Sequence, residues 1–368
     1  MNYTQRNPLP LPQGSALQSV KTTMDSVFDW EYALRRSELL ALYEKGKAQA
    51  WNATDLDWTL DVDIERMMRE RQEAGMGGML NKLLSPPRKL EDREVVELNL
   101  NMNSFMLSQF LHGEQGALLA TAKIVQQVPW EEAKFYAANQ VADEARHVEV
   151  YHRYLTEKLC LSYEVHPSLQ QLLDEILRDP RWDVTYLGMQ ILVEGLALAA
   201  FGMMKLMMAN EPLIQDITGR IMADESRHVA FGVLSLQGLY GGEMSGTELR
   251  EREDFVIEAT HLMRDRLLMH QVFDRLGWDR ATWIPWMQQT PFMQGFRQML
   301  FSKAVPNLKR LGLLTPRVRA AYEKLDLLRF EGMRDSVEEP EVAPPQELVE
   351  LLMSFLAGQQ QPAVTPAP

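Results

Sequence analysis

Cysteine is almost missing from this sequence: of its 368 residues, only Cys160 carries a thiol. One thiol cannot close a disulfide within the chain, and it excludes a zinc ribbon or an iron–sulfur cluster held by the chain alone. That usage fits a reducing compartment, so the expected location is the cytoplasm. Redox work by such a chain must draw its electrons from an external donor or reductase. An excess of basic residues is also lacking, since 38 Lys and Arg stand against 51 Asp and Glu for a net charge of −13. A field of that sign disfavours nucleic acid as a partner. The opening MNYTQRNPLPLPQG lacks the charged-then-apolar order of a secretory signal. Sustained strand-like alternation is absent too, and the class expected is all-α.

One stretch, Leu187 to Ala209, is apolar over roughly the 20 residues a bilayer crossing needs. Glu194 lies near its middle and Lys205 further on. A carboxylate in mid-membrane is costly without a partner, whereas a helix apolar all round suits the centre of a large bundle. The stretch is therefore read as a buried core helix, with no membrane as partner.

The organisation expected is a flexible, Pro-rich arm over 1–14, a single helical domain over 15–337, and a Pro-rich, largely disordered tail over 338–368. Within the domain, apolar residues three and four apart predict helices from about Ser15 to Ala50, Ile64 to Glu73, Asp92 to Val128 and Pro129 to Leu159. Others are expected over Pro167 to Arg178, Val184 to Asn210 and Pro212 to Tyr240, with more helices out to about Arg334 and a short one near Leu348 to Leu356. Pro129 and Pro212 are placed at helix starts, where a missing N–H and a fixed φ are tolerated.

The chemistry sits in a repeated pentapeptide, DEARH at 143–147 and DESRH at 224–228. Glu and His three apart share a helix face and can reach one cation. The bare Glu-x-x-His pattern is unspecific, because it recurs at Glu149/His152 and Glu258/His261; both of those are read as surface pairs. The pentapeptides differ from them in context. Each follows an isolated glutamate set in an apolar helix, Glu114 thirty positions before Glu144 and Glu194 thirty-one before Glu225. Burying a carboxylate alone costs several kcal/mol, so each needs a cation or a proton. Two such hairpins packed together would converge Glu114, Glu144, His147, Glu194, Glu225 and His228, a set suited to two divalent ions bridged by carboxylates.

On these residues the chain resembles the ferritin-like superfamily of di-iron carboxylate proteins, over about 95–240. It is most similar to the oxygen-activating branch: monooxygenase hydroxylase subunits, ribonucleotide reductase small subunits, acyl-carrier desaturases and arylamine N-oxygenases. The resemblance implies a four-helix bundle core with flanking helices. Glu114, Glu144 and His147 would hold one iron and Glu194, Glu225 and His228 the other, with a Mn/Fe pair as an alternative. Asp143 and Asp224 would hydrogen-bond the ligand histidine of the opposite motif, and Arg146 and Arg227 would neutralise their surroundings.

The implied activity is O2-dependent hydroxylation, N-oxygenation or desaturation of a small organic substrate through a bridged peroxo species, in a homodimer served by an external electron donor. Tyr151 matches the place of the reductase radical tyrosine. Three positions depart from these relatives. Glu114 replaces the aspartate usual in the reductases, Ile221 stands where N-oxygenases carry a further histidine, and Leu198 stands where hydroxylases carry a polar residue. Ala117, Leu118, Tyr151, Ile191, Ala197, Leu198 and Phe201 are the expected pocket walls. Two other readings stay open: an iron-oxidising or peroxide-handling protein without organic substrate, and a radical-generating reductase subunit.

Overall fold

The computed structural model describes residues 17–73, 85–208, 210–240, 242 and 244–338. The arm proposed for 1–14, the short helix near Leu348 to Leu356 and most of the tail lie outside the described residues. Among the described residues every regular element is helical. The longest, α3 (Asp92–Gln127), has 36 residues and spans roughly 54 Å. Its start is fixed by Glu94, whose carboxylate accepts the backbone N–H of Glu91 at 2.9 Å and is gripped by Arg88 at 2.6 and 2.8 Å. Only Val128, Pro129 and Trp130 separate it from α4 (Glu131–Arg153), which must therefore fold back antiparallel. Pro129 precedes the cap residue Trp130, so the helix begins two positions later than the proline suggested. A π-helical turn, Tyr154–Leu159, extends α4 to the boundary expected from the sequence.

Before these come α1 (Ser37–Ala48) and α2 (Ile64–Glu73). The helix expected from Ser15 is absent over 17–36. Leu17 is 54% exposed and Phe28 69%, so the apolar stripe finds nothing to bury it, and helices in proteins are stabilised chiefly by such packing. The segment is tied instead by its polar groups, with Val27 N donating to Gln126 O at 2.8 Å and Gln18 to Asp174 at 3.0 Å.

The second hairpin starts after α5 (Pro167–Arg178). It consists of α6 (Trp182–Tyr186), a π-helical stretch Leu187–Val193, and α7 (Glu194–Met207), which returns as α8 (Pro212–Leu236). Pro212 opens α8 as expected, and the Glu211 side chain caps it by accepting the N–H groups of Leu213 and Ile214 at 3.0 and 2.6 Å. Trp182–Leu206 is long and apolar enough to cross a membrane, yet 89% of its apolar window is buried inside the protein. It is the central helix of the bundle.

Close approach around it relies on two glycines. A Cβ at Gly188 would lie 2.5 Å from Ile176, and one at Gly232 would lie 2.5 Å from Cβ of Gln190. Helices α9 (Gly246–Asp265), α10 (His270–Leu276), α11 (Arg280–Gln289), α12 (Pro291–Met299), α13 (Ala304–Arg310) and α14 (Pro316–Lys324) complete the described structure. α1 packs on α4 and α8, and α9 on the π-helical stretch, so the four long helices are flanked on several sides.

Candidate metal centre

Glu114 lies on α3, Glu144 and His147 on α4, Glu194 at the first position of α7, and Glu225 and His228 on α8. All six are buried, Glu114 most exposed at 5%. The structure brings them together. Nδ1 of His147 lies 3.3 Å from Glu114, 3.5 Å from Glu144 and 3.3 Å from Glu225, while Nδ1 of His228 lies 3.2 Å from Glu144 and 3.4 Å from Glu225. Two donor groups result, Glu114–Glu144–His147–Glu225 and Glu144–Glu194–His228, with donor atoms within 4.8 Å of one another in each. The sharing differs from the hairpin-by-hairpin partition expected from sequence. Glu144 enters both groups and Glu225 joins the first, because the two Glu-x-x-His helices pass side by side and set these carboxylates between the imidazoles. That is the position a bridging carboxylate needs.

The far side of each imidazole is anchored across the bundle. His147 Nε2 meets Asp224 at 3.1 Å, and His228 Nε2 meets Asp143 at 3.2 Å. A carboxylate only accepts, so each Nε2 carries a hydrogen, and a ring that gives up its second proton turns the Nδ1 lone pair inward. Arg146 contacts Asp143 and Arg227 contacts Asp224, matching the neutralising role expected of them. Asp224 is held down at about 2, since His147 and Arg227 outweigh its burial.

Burial first, then the nearby Glu225, pushes Glu114 up to about 8, and the same causes raise Glu194 well above the carboxylate range. Burial alone would raise Glu144 too, but His228 and His147 hold it below its ordinary value. Burial disfavours charge on both imidazoles, yet the surrounding carboxylates raise His147 and His228 well above the usual histidine range. Protons therefore crowd into the cluster where cations are lacking. Even so, Oε2 of Glu144, Oε2 of Glu194, both carboxylate oxygens of Glu225 and Nδ1 of His228 have no hydrogen-bond partner among the described residues. Buried oxygens of this kind are rarely left so. Their convergence is the observation that fits divalent cations.

Several contributors escape a reading of the sequence. Gln140, one turn before Glu144, donates to Glu144 at 2.8 Å and to Glu194 at 3.0 Å, and so aims their other oxygens. Trp51, from the connector after α1, donates to Asp224 at 2.7 Å and stacks near His147. No local signal marks either residue; only the fold places them. Glu149, His152, Glu258 and His261 are all exposed and contribute to neither donor group, as expected. Tyr151 is fully buried between Phe110 and Phe201, its hydroxyl without a partner and raised in pKa by burial and by Glu114. The cavity beside the cluster is walled by Ala117, Ala197 and Phe201 as foreseen, but not by Leu118, Tyr151, Ile191 or Leu198.

No family model and no curated protein matches the chain by sequence. Among solved structures, the crystal structure of dimanganese(II)-NrdF from Streptococcus sanguinis superposes with a TM-score of 0.50 at 15% identity, covering 80% of this chain and 98% of that one. The fold is ferritin-like. An R2-like ligand-binding oxidase with an aerobically reconstituted Mn/Fe cofactor is a weaker match, with a TM-score of 0.42 at 15% identity over 84% of this chain and 96% of that one. In this ferritin-like frame the six buried side chains come from the four long helices, two from each Glu-x-x-His helix and one from each partner.

Proposed function

We propose that the chain is a di-metal oxidoreductase that uses O2 to oxidise a small organic substrate, with Glu114, Glu144, His147, Glu194, Glu225 and His228 as the metal ligands. The convergence of unpartnered carboxylate oxygens on two imidazoles in the buried interior carries this reading. The fold shared with a dimanganese(II) protein is compatible with it. Two iron ions bound there, or a manganese and an iron, would supply the redox chemistry with O2. Hydroxylation balances as R–H plus O2, two electrons and two protons giving R–OH and water. Both electrons must come from an external donor, because the only cysteine, Cys160, is exposed and no second thiol exists to make a redox pair.

The protein's own part is placement and exclusion of water. Asp143 and Asp224 fix the two imidazoles, Gln140 aims two carboxylates, and Phe110, Ala117, Ala197 and Phe201 keep the adjoining cavity apolar. The test is anaerobic loading with ferrous iron, metal analysis, then oxygen uptake with a chemical reductant and a product screen. About two irons per chain and uptake that rises with an organic substrate are expected. Iron oxidation with no organic product would favour the storage or peroxide-handling reading, and no iron uptake would end both.

One observation favours the radical reading as a second possibility: the Tyr151 hydroxyl is buried, unpartnered and faces the charge of Glu114. A tyrosyl radical signal after oxygenation, lost in Tyr151→Phe, is the expected outcome under that reading. An unchanged spectrum in the variant would remove it.

A further inference from the structure

The cavity beside the cluster touches Glu114, Glu194 and Glu225 on one side, and most of its remaining wall is apolar. It also contains a cation, Arg266, from the 3-10 turn Arg266–Leu268 that follows α9. Arg266 is 3% exposed, and among the described residues it forms no hydrogen bond and no ion pair, with Nε left without a partner. The other buried arginines behave differently: Arg252 grips Asp183 through two bonds at 2.8 and 2.9 Å, and Arg227 pairs with Asp224. An uncompensated guanidinium in the interior is strongly unfavourable, and burial alone lowers Arg266 to about 10.

Its surroundings offer no remedy. Gln109, also on the cavity wall, spends its amide on Glu164 O and His166 N at 3.0 and 2.7 Å. His166 is pushed down to about 4 by burial, by His270 and by Arg266 itself, so it is neutral at pH 7. The cavity is narrow, about 20 Å³, and Gly113 marks where it is open, since a Cβ built there meets nothing within 4 Å. A second apolar cavity of about 60 Å³, lined by Met102, Met106, Met203, Met204 and Phe296, shares the Phe110 wall, and its flexible methionines can yield to a longer body.

We propose that Arg266 is the counter-ion for the anionic end of the substrate, so that the site takes an apolar carboxylic acid whose hydrocarbon part lies against Phe110, Ala197 and Phe201 toward Glu114 and Glu194. The planar guanidinium matches a carboxylate with two parallel hydrogen bonds, which an ammonium cannot reproduce. The substrate class rests on the di-metal reading above, but the pairing with Arg266 is testable apart from it. Benzoate and octanoate, with benzamide and octanamide as uncharged counterparts, are titrated calorimetrically into the full chain, both manganese(II)-loaded and metal-free.

At least one acid is expected to bind about 30-fold or more tightly than its amide in both forms, the effect of a desolvated charge pair. Arg266→Met is expected to bring that acid to the level of its amide, to keep its manganese content and to melt at a higher temperature. Arg266→Lys is expected to keep part of the preference. Gly113→Leu, which fills the free space without touching the charge, is expected to weaken octanoate and octanamide together. Equal binding of acid and amide in both pairs overturns the proposal. So does an acid preference that survives Arg266→Met, or one present only with manganese, which would place the carboxylate on the metal. Failure to take up manganese would overturn the di-metal reading alone, because the metal-free titrations still report on Arg266.

Discussion

Glu144→Ala is expected to empty both cation positions, taking the protein from about two bound metal ions per chain to about none. Glu144 alone belongs to both donor groups, and its two oxygens face different imidazoles, His147 at 3.5 Å and His228 at 3.2 Å. Glu194→Ala should cost only the position shared with His228, and Glu114→Ala only the one shared with His147. Substitution one step further out is milder. Asp143→Asn or Asp224→Asn leaves every ligand in place but loosens one imidazole, for an expected loss of about 10- to 100-fold in metal affinity. Metal analysis of the purified variants and titration with manganese(II) read all of these. Equal losses from Glu144→Ala and Asp224→Asn would contradict the shared role given to Glu144, as would full metal content in Glu144→Ala.

Stripping the metal should reverse the pH dependence of stability. Without cations, Glu114 holds its proton up to about 8 and Glu194 also binds one unusually tightly, while His147 and His228 stay protonated above their ordinary range. The folded state then carries more protons than the unfolded chain, so stability is greatest at low pH and falls as pH rises through the folded values, from about 5 to 8 and beyond. Glu144 acts oppositely, but its lowered value matters only below the usual carboxylate range. With metal bound the ligands must be deprotonated, so affinity and stability climb over the same interval. Saturating metal at 100 to 1,000 times its dissociation constant adds about 3 to 4 kcal/mol per site. Urea denaturation at pH 5.5, 7 and 8, with EDTA or with manganese(II), should give slopes of opposite sign. Parallel slopes would mean that these carboxylates are not what the metal displaces.

The parts of this architecture readable from sequence are those written in local spacing. The paired DExRH segments, the isolated Glu114 and Glu194 and the helix opened by Pro212 all sit on periodic stretches, and the helices follow them closely. The start of α2 at Ile64 was readable to the residue. The segment 17–36 misled because its apolar positions keep helical spacing while facing solvent, and spacing carries no information on whether a partner surface exists. The sharing of Glu225 depends on how two helices cross, which neither helix encodes alone. Trp51, Gln140 and Arg266 reach the site from a connector, a helix turn and a break between helices, and nothing in their immediate neighbours sets them apart.

The reciprocal anchoring of the imidazoles has a consequence for how the two halves of the bundle relate. Asp143 reaches His228 and Asp224 reaches His147, so equivalent positions exchange the same contact, as a two-fold axis imposes on a dimer interface. Each half thus lacks a fixed imidazole until the other is docked. On the di-metal reading neither half would bind a cation by itself, and loading would act as a clasp that links the folding of one half to the folding of the other.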